Sequence, residues 1–291
     1  MNMFTHNNFL QYESIDMSGV LEVTNVPQTP ITSLLMVRQV QAQAPQVHWV
    51  EVEIDESSAV TQGEGDDAPE HKTDNRELKE NYLEIFGATA KVSNTAQYST
   101  SETVNDLLAH EVELKTQSIR NRMENKFING NKNFADGVYE TDGILNLINS
   151  ENQKTEDEFN ENVFLDTLQK LYDANVHDNM IVFLRPEEKI KINQEFNNVV
   201  KYTDTLDRVA GFDAEQYISP FGIVRFALAP KLPANTMFVI NPAYLEMPTL
   251  IPFTARPQNP SGSKQEVYLE TQAGVKLLNS YAGSTLEIST A

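Results

Sequence analysis

Alternating apolar and polar positions mark two stretches in the first third of the chain. Residues 50–54 read Val-Glu-Val-Glu-Ile, so a period of two places the apolar side chains on one face of a half-buried strand and the carboxylates on the other. Residues 83–92 alternate less strictly, and Gly87 inside them indicates a bulge or bend. The two stretches, Val47 to Ile54 and Leu83 to Val92, predict the arms of a hairpin with a charged, turn-rich tip at residues 57–80.

This hairpin lacks an obvious cover within the chain. A two-stranded hairpin is marginal alone in water, and its apolar face needs a surface to pack on. We therefore expect a neighbouring copy of the chain to supply that surface. A disordered surface loop is the alternative interpretation of the tip.

A long amphipathic helix is predicted directly after the hairpin. Apolar side chains recur at three- and four-residue steps over residues 100–128. Ser99 and Glu102 fit a capping box at its start, and Asn129-Gly130 fits its end. An unbroken helix of this length spans on the order of 45 Å, longer than a compact domain needs, so we interpret it as a spine.

The remaining chain predicts a mixture of helices and strands, which indicates an α+β fold. The expected helices cover residues 159–172 and begin again at Pro186; the expected strands are residues 180–184, 222–227, 236–240, 266–270 and 284–289. Eight of the thirteen prolines fall between Pro220 and Pro260, which favours turns and strand ends there.

Composition narrows the functional classes. The 291 residues include 42 acids and 22 bases, a formal charge of −20 that disfavours binding to nucleic acid and to anionic membranes. The chain has no cysteine, which removes disulfides and thiolate chemistry and fits a reducing cytoplasm. The pattern predicts neither a secretion signal nor a membrane span.

Catalytic and ligand-binding motifs are weak. The five histidines stand in separate contexts, so no zinc site is expected. Residues 63–68 match GxGxxA formally, but three acids inside the match would repel a pyrophosphate. An acidic cation site at the tip and a carboxylate pair for hydrolysis have only the acid excess in their favour. We therefore expect no enzyme activity, cofactor or metal.

The order of elements resembles the major capsid proteins of tailed bacteriophages, which share the Hong Kong 97-type fold. An arm containing Pro27, Pro30 and Pro45 precedes the two-stranded loop, the spine helix, a mixed region and closing strands. Asn129-Gly130 and the segment 232–239, Leu-Pro-Ala-Asn-Thr-Met-Phe-Val, are similar locally. The resemblance covers nearly the whole chain.

The resemblance implies a domain map. Residues 1–46 would be the N-terminal arm and residues 47–97 the extended loop. Residues 98–133 and 252–291 would form the peripheral domain with the spine helix, and residues 134–251 the axial domain. Pentamers and hexamers would close into an icosahedral shell around the phage genome, which places the protein in the virion after assembly in the host cytoplasm.

Charge suggests where neighbouring copies meet. Between residues 51 and 70 there are eight acids and no Lys or Arg, so the loop is expected to seek basic groups on its neighbour. The candidate contacts are Trp49, Glu51, Glu53, Asp55, Asp66, Asp67 and Glu70 on the loop, with Arg120, Arg122 and Lys126 on the spine. Lys72 and Lys79 lie in the loop, but no partner for a covalent crosslink can be located.

The resemblance also implies partners. A portal and a separate scaffolding protein are expected, because the stretch before Val47 is short for a scaffolding extension, whereas no sequence-specific nucleic acid and no membrane is expected. The alternatives are an encapsulin-like compartment, a soluble hydrolase using an Asp/Glu pair, and an acidic binding module with a mobile loop.

Overall fold

The computed structural model describes residues 28–54, 57, 59–65, 67–98, 106–177, 179–195, 207–209, 212–259 and 262–289. The described residues form both α-helices and runs of consecutive β-strands, which confirms the α+β class. The helices are α1 (Pro30–Met36), α2 (Asn94–Tyr98), α3 (Leu107–Asn129), α4 (Ile144–Leu147), α5 (Glu161–Asp173) and α6 (Pro186–Glu195). The strands are β1 (Gln39–Gln41), β2 (Gln46–Glu53), β3 (Asn75–Tyr82), β4 (Glu84–Ser93), β5 (Asn133–Ala135), β6 (Val138–Glu140), β7 (Gln153–Glu156), β8 (Met180–Leu184), β9 (Asp207–Val209), β10 (Phe212–Ser219), β11 (Gly222–Leu228), β12 (Thr236–Ile240), β13 (Leu245–Pro257), β14 (Lys264–Ala273), β15 (Lys276–Leu277) and β16 (Gly283–Ile288).

The long helix α3 begins later than its periodicity predicts. Asp106 precedes the first helical residue, and its carboxylate accepts the backbone N–H of Ala109 at 3.1 Å. This cap starts the helix at Leu107, so the predicted start near Thr100 is wrong. The predicted capping residues Ser99 and Glu102 lie outside the described residues. At 1.5 Å per residue the helix spans about 35 Å.

Helix α3 ends at Asn129-Gly130, as predicted. The glycine is needed there because another part of the chain passes close to it. A Cβ on Gly130 would lie 2.4 Å from the carbonyl oxygens of both Lys126 and Thr141. Gly143 crosses at the same place, and its N–H donates to the Gly130 carbonyl at 2.9 Å. Two chain segments therefore pass so closely that only glycine fits at the crossing.

A seven-stranded sheet, in the order β7-β16-β12-β8-β11-β10-β9, contains much of the core. Its central strands β8 and β12 are buried throughout, and Phe183 and Phe238 stack with ring centroids 5.1 Å apart. On α5, Phe164 stacks on Phe226 of β11 at 6.0 Å. The purely apolar run at residues 180–184 and the segment 236–240 are both strands, as predicted.

The five-stranded sheet has the order β1-β13-β14-β4, with β15 paired to β13. Strand β16 lies within residues 252–291, which the expected domain map groups with the spine helix, but it pairs with β12 and β7 of the seven-stranded sheet. Strand β4 runs continuously through Gly87, where a bulge or bend is predicted. A Cβ there would lie 2.6 Å from the hydroxyl of Tyr268, so this glycine makes room for a ring on the next strand.

The chain divides into two compact units. The smaller comprises Gly87–Ile119 and Thr254–Glu270, where Arg256 pairs with Glu270 at 3.6 Å. The larger comprises Gln28–Phe86, Arg120–Phe253 and Thr271–Ala291. The larger unit contains the seven-stranded sheet and both two-stranded hairpins, β2–β3 and β5–β6.

Candidate assembly surface

The long hairpin consists of β2 and β3, which pair antiparallel from Gln46 opposite Tyr82 to Glu53 opposite Asn75. The predicted return arm, residues 83–92, is therefore wrong. Those residues form β4 of the five-stranded sheet, and the true return arm begins inside the segment predicted to be the tip. The arm was missed because residues 75–82 are mostly polar and show no apolar alternation.

One face of the long hairpin, formed by odd-numbered residues, lies against its own unit. Trp49 is only 9% exposed. The carboxylate of Glu51 accepts the backbone N–H of Ser280 at 3.0 Å and its hydroxyl at 2.7 Å. On β3, the Asn81 amide donates to the Val275 carbonyl at 2.6 Å. These contacts fix which face of the hairpin points inward.

The opposite face carries the apolar side chains and is open. Val50 stands directly across from Leu78, and Val52 follows two residues on. These three side chains are 54%, 64% and 53% exposed, respectively. We call Val50, Val52 and Leu78 the open face. Within one copy of the chain the apolar face is uncovered, as expected for a face that a neighbouring copy is to cover, and Trp49 and Glu51 turn the other face inward.

The acidic connection between β2 and β3 contains four of the predicted loop contacts, Asp55, Asp66, Asp67 and Glu70, and Glu53 ends β2 directly before it. Glu53, Asp67 and Glu70 are exposed. Glu53 accepts a weak hydrogen bond from the Asn75 amide at 3.5 Å. Asp55 and Asp66 lie outside the described residues. Two of the predicted loop contacts, Trp49 and Glu51, are instead engaged within their own copy.

The three predicted basic groups on α3 differ from one another. Arg120 and Arg122 are exposed. Lys126 is 13% exposed and forms ion pairs with Glu140 at 2.8 Å and Glu84 at 3.5 Å. Two of the three bases therefore remain accessible to a neighbour.

Two buried glutamates escaped the sequence analysis. Glu124 on α3 is fully buried, and its carboxylate accepts the N–H of Ile31 at 3.1 Å and of Thr32 at 2.6 Å. Glu84 is 8% exposed and accepts the N–H of Thr141 at 3.2 Å. Burial raises the pKa of both carboxyl groups. The available signal for Glu124 was its position beside the apolar stripe of the helix.

An open groove of about 880 Å³ lies beside the long hairpin and is lined by acids that include Glu53, Glu77 and Asp173. The two carboxyl groups with raised pKa, Glu84 and Glu124, do not line it. Within the described ranges, no group of three His, Asp or Glu residues could hold a metal ion. Of the helices that the structure describes, none is long and apolar enough to cross a membrane.

The sequence matches the SU10 major capsid protein family over residues 4–289. The chain belongs to this family. No curated protein sequence matches the chain. As a major capsid protein it forms an oligomeric shell and is located in the virion.

Solved structures show that this major capsid protein has the Hong Kong 97-type fold. The capsid of cyanophage A-1(L) superimposes with a TM-score of 0.68 at 10% identity, covering 96% of this chain and 98% of that chain. Mycobacterium phage Bobi gives a TM-score of 0.67 at 10% identity, covering 100% of both chains. The SrpI encapsulin of Synechococcus elongatus PCC 7942 gives 0.63 at 11% identity, covering 91% of both chains. Phage capsids and an encapsulin share the fold, and the family match favours the phage capsid.

Proposed function

We propose that this major capsid protein assembles into pentamers and hexamers in which the long hairpin of each copy lies over a neighbouring copy. In the corresponding domain map, residues 1–46 are the arm, 47–97 the extended loop, 98–133 and 252–291 the peripheral domain, and 134–251 the axial domain. The strand pairing restricts the hairpin itself to residues 46–82.

The open face is the observation that supports this proposal. Val50, Val52 and Leu78 expose apolar surface on a two-stranded ribbon whose other face packs on its own unit through Trp49 and Glu51. Contiguous apolar surface of this kind marks a protein interaction site. In a shell built from many copies, the neighbouring copy is the available partner.

Charge complements the apolar contact. The exposed acids beyond the open face are Glu53, at the end of β2, and Asp67 and Glu70, in the connection. We place them, together with Asp55 and Asp66, near Arg120 and Arg122 of the neighbouring copy. Opposite charges at the rim of an interface guide association and set its register.

The net charge of −20 is consistent with enclosing a genome without gripping it. Sequence-specific binding of nucleic acid and binding to a membrane are not part of the proposal. A portal, a separate scaffolding protein and assembly in the host cytoplasm follow from the resemblance to phage capsid proteins. Nuclease-protected DNA inside purified particles would separate a phage capsid from an encapsulin-like compartment.

Leu78→Asp tests the hairpin contact. The substitution places a charge in the centre of the open face. Residue 78 is exposed to solvent in the isolated subunit, so the subunit should fold normally. Closed shells should be lost, as measured by light scattering and electron microscopy. Ile190→Asp is the matched control, because Ile190 is a comparably exposed apolar residue on α6, at 59% exposure. Normal shells from the Leu78 variant would refute the proposed contact.

A further inference from the structure

The short hairpin β5–β6 is a second exposed two-stranded ribbon. Its turn residues Asp136 and Gly137 have φ angles of 52° and 79°. Positive φ at both turn positions gives the tight turn that matches the twist of the strands. Phe134 stands opposite Tyr139, and Val138 lies on the other face of the ribbon. The short hairpin therefore presents two distinct faces.

The face with Phe134 packs beside the open face of the long hairpin. The ring of Tyr82, at the end of β3, lies 6.3 Å from Phe134 and 5.5 Å from Tyr139. Lys132 pairs with Glu80 of β3 at 3.0 Å. Tyr82, Glu80 and Leu78 alternate along β3 and so point to the same side of the hairpin. The short hairpin thus borders the open face at the end where β3 reaches Tyr82.

Hydrogen bonds and ion pairs hold the short hairpin in place. The Asn133 amide donates to Glu140 at 3.3 Å across the ribbon. Lys126 of α3 binds the same carboxylate at 2.8 Å, and this ion pair lowers the pKa of Glu140. The rings of Phe134 and Tyr139 lie 4.5 Å apart. A ribbon held in this way is preorganised for a partner, since little freedom remains to be lost on binding.

Despite this packing, Phe134 remains 52% exposed. We propose that Phe134 and the open face of the long hairpin form one composite surface, and that a second copy of this chain covers it. This inference rests on the proposed function and names the second element of the same contact.

Electrostatics favour a second copy as the occupant. Every copy carries a net charge of −20, so an interface between copies needs a face without unbalanced acids. Along this border Lys132 pairs with Glu80, and Lys126 pairs with Glu140. The acids next to the apolar strip are thereby neutralised within each copy, and the strip can meet an acidic neighbour without repulsion.

Phe134→Ser tests the composite surface, with Val138→Ser as the matched control. Val138 is 61% exposed on the same short hairpin but lies on its other face. We expect the Phe134 variant to form few or no closed shells and the Val138 variant to form normal ones. Normal shells from the Phe134 variant, together with lost shells from Leu78→Asp, would overturn the composite surface and leave the proposed hairpin contact standing. Normal shells from Leu78→Asp would refute the hairpin contact itself.

A second measurement covers the case in which Phe134→Ser weakens folding. Because the chain has no cysteine, Phe134→Cys and Val138→Cys each introduce a single thiol. Alkylation by iodoacetamide is followed in dissociated subunits and in shells, and protection at Phe134 is expressed relative to that at Val138. A relative protection of about tenfold or more is expected for a residue in the interior of an interface. Equal protection at the two positions would overturn the inference.

Discussion

Glu124 shows how one buried carboxylate can position a whole element. Helix α1 has no side-chain cap of its own at Thr29. The carboxylate of Glu124, on a distant part of the chain, accepts the N–H of Ile31 and the N–H and hydroxyl of Thr32 instead. A negative charge at a helix N-terminus also interacts favourably with the helix dipole. The position of α1 is therefore set by a residue of α3.

Replacing Glu124 should be costly. Glu124→Ala leaves two buried N–H groups of α1 without an acceptor, so the free energy of unfolding should fall by about 2–4 kcal/mol. Glu124→Gln retains one acceptor and should cost less. Glu113→Ala is the control, because Glu113 is exposed on the same helix. Denaturant unfolding followed by circular dichroism measures the difference; equal midpoints for Glu124→Ala and the control would contradict the role.

The pH dependence of the same variants follows from the sign of the shift. Burial raises the pKa of Glu124, so the folded state holds its proton more tightly than the unfolded state. The pH-dependent contribution of Glu124 to the free energy of unfolding is fully present below the ordinary glutamate pKa. It is lost as the pH rises through the raised pKa of the folded state. Relative to Glu124→Gln, the wild type should therefore lose stability over this interval, as unfolding at a series of pH values would show.

The glycines at the end of α3 illustrate what a local pattern cannot show. Asn129-Gly130 predicts a helix end correctly, but the glycine is required because the carbonyl of Thr141 lies 2.4 Å from the position of a Cβ. That crossing brings Gly130 against residues 141–143, a contact beyond the reach of the local pattern. Gly87 is similar, since its partner Tyr268 is nearly two hundred residues away along the chain. The local sequence shows where such a glycine lies. The reason that a glycine is required there is a tertiary contact.

Among the elements, those with the plainest patterns were predictable from the sequence. The strands β8 and β12 begin and end at the predicted residues because apolar runs without gaps must be buried on both faces. The long hairpin was predicted with the wrong return arm, and the packing of its other face on its own unit was not foreseen. Alternation shows that a strand has two faces, but not which of them its own unit covers. Here the inward face was decided by Glu51 and Ser280, which are 229 residues apart in the chain.

Glu51 should hold the long hairpin on its unit. Glu51→Ala removes both hydrogen bonds to Ser280, so the hairpin should open more often, and amide hydrogen exchange in β2 should accelerate by about tenfold. Ser280→Ala removes one of the two bonds and should have a smaller effect. Glu53→Ala, on the same face two residues on, is the control. Unchanged exchange in the Glu51 variant would show that the other inward contacts, Trp49 and Asn81, suffice to hold the hairpin.

For the whole molecule, the excess of acids limits how copies can associate. Every copy is repelled by every other at long range, so assembly depends on apolar contact and on the few exposed bases. The sequence could identify the acidic loop and the basic end of the helix, because charge is legible residue by residue. It could not show that Lys126 is already paired with Glu140 and Glu84, since that depends on how the chain folds back.

The salt dependence of assembly separates attraction between the loop and α3 from general repulsion. If the acids of the loop meet Arg120 and Arg122 of a neighbour, replacing both arginines by glutamine should reduce the yield of shells at low salt. Salt screens repulsion between copies and also the proposed attraction, so the wild type loses part of its advantage over the double variant as salt rises. Lys115→Gln is the control, because Lys115 pairs with Glu111 on its own helix. Shell yield is measured by light scattering across a salt series. A ratio of wild-type to variant yield that falls towards one as salt rises would support these two arginines as the site that binds the acidic loop. A ratio that stays constant across the salt series would place the partner of the loop elsewhere.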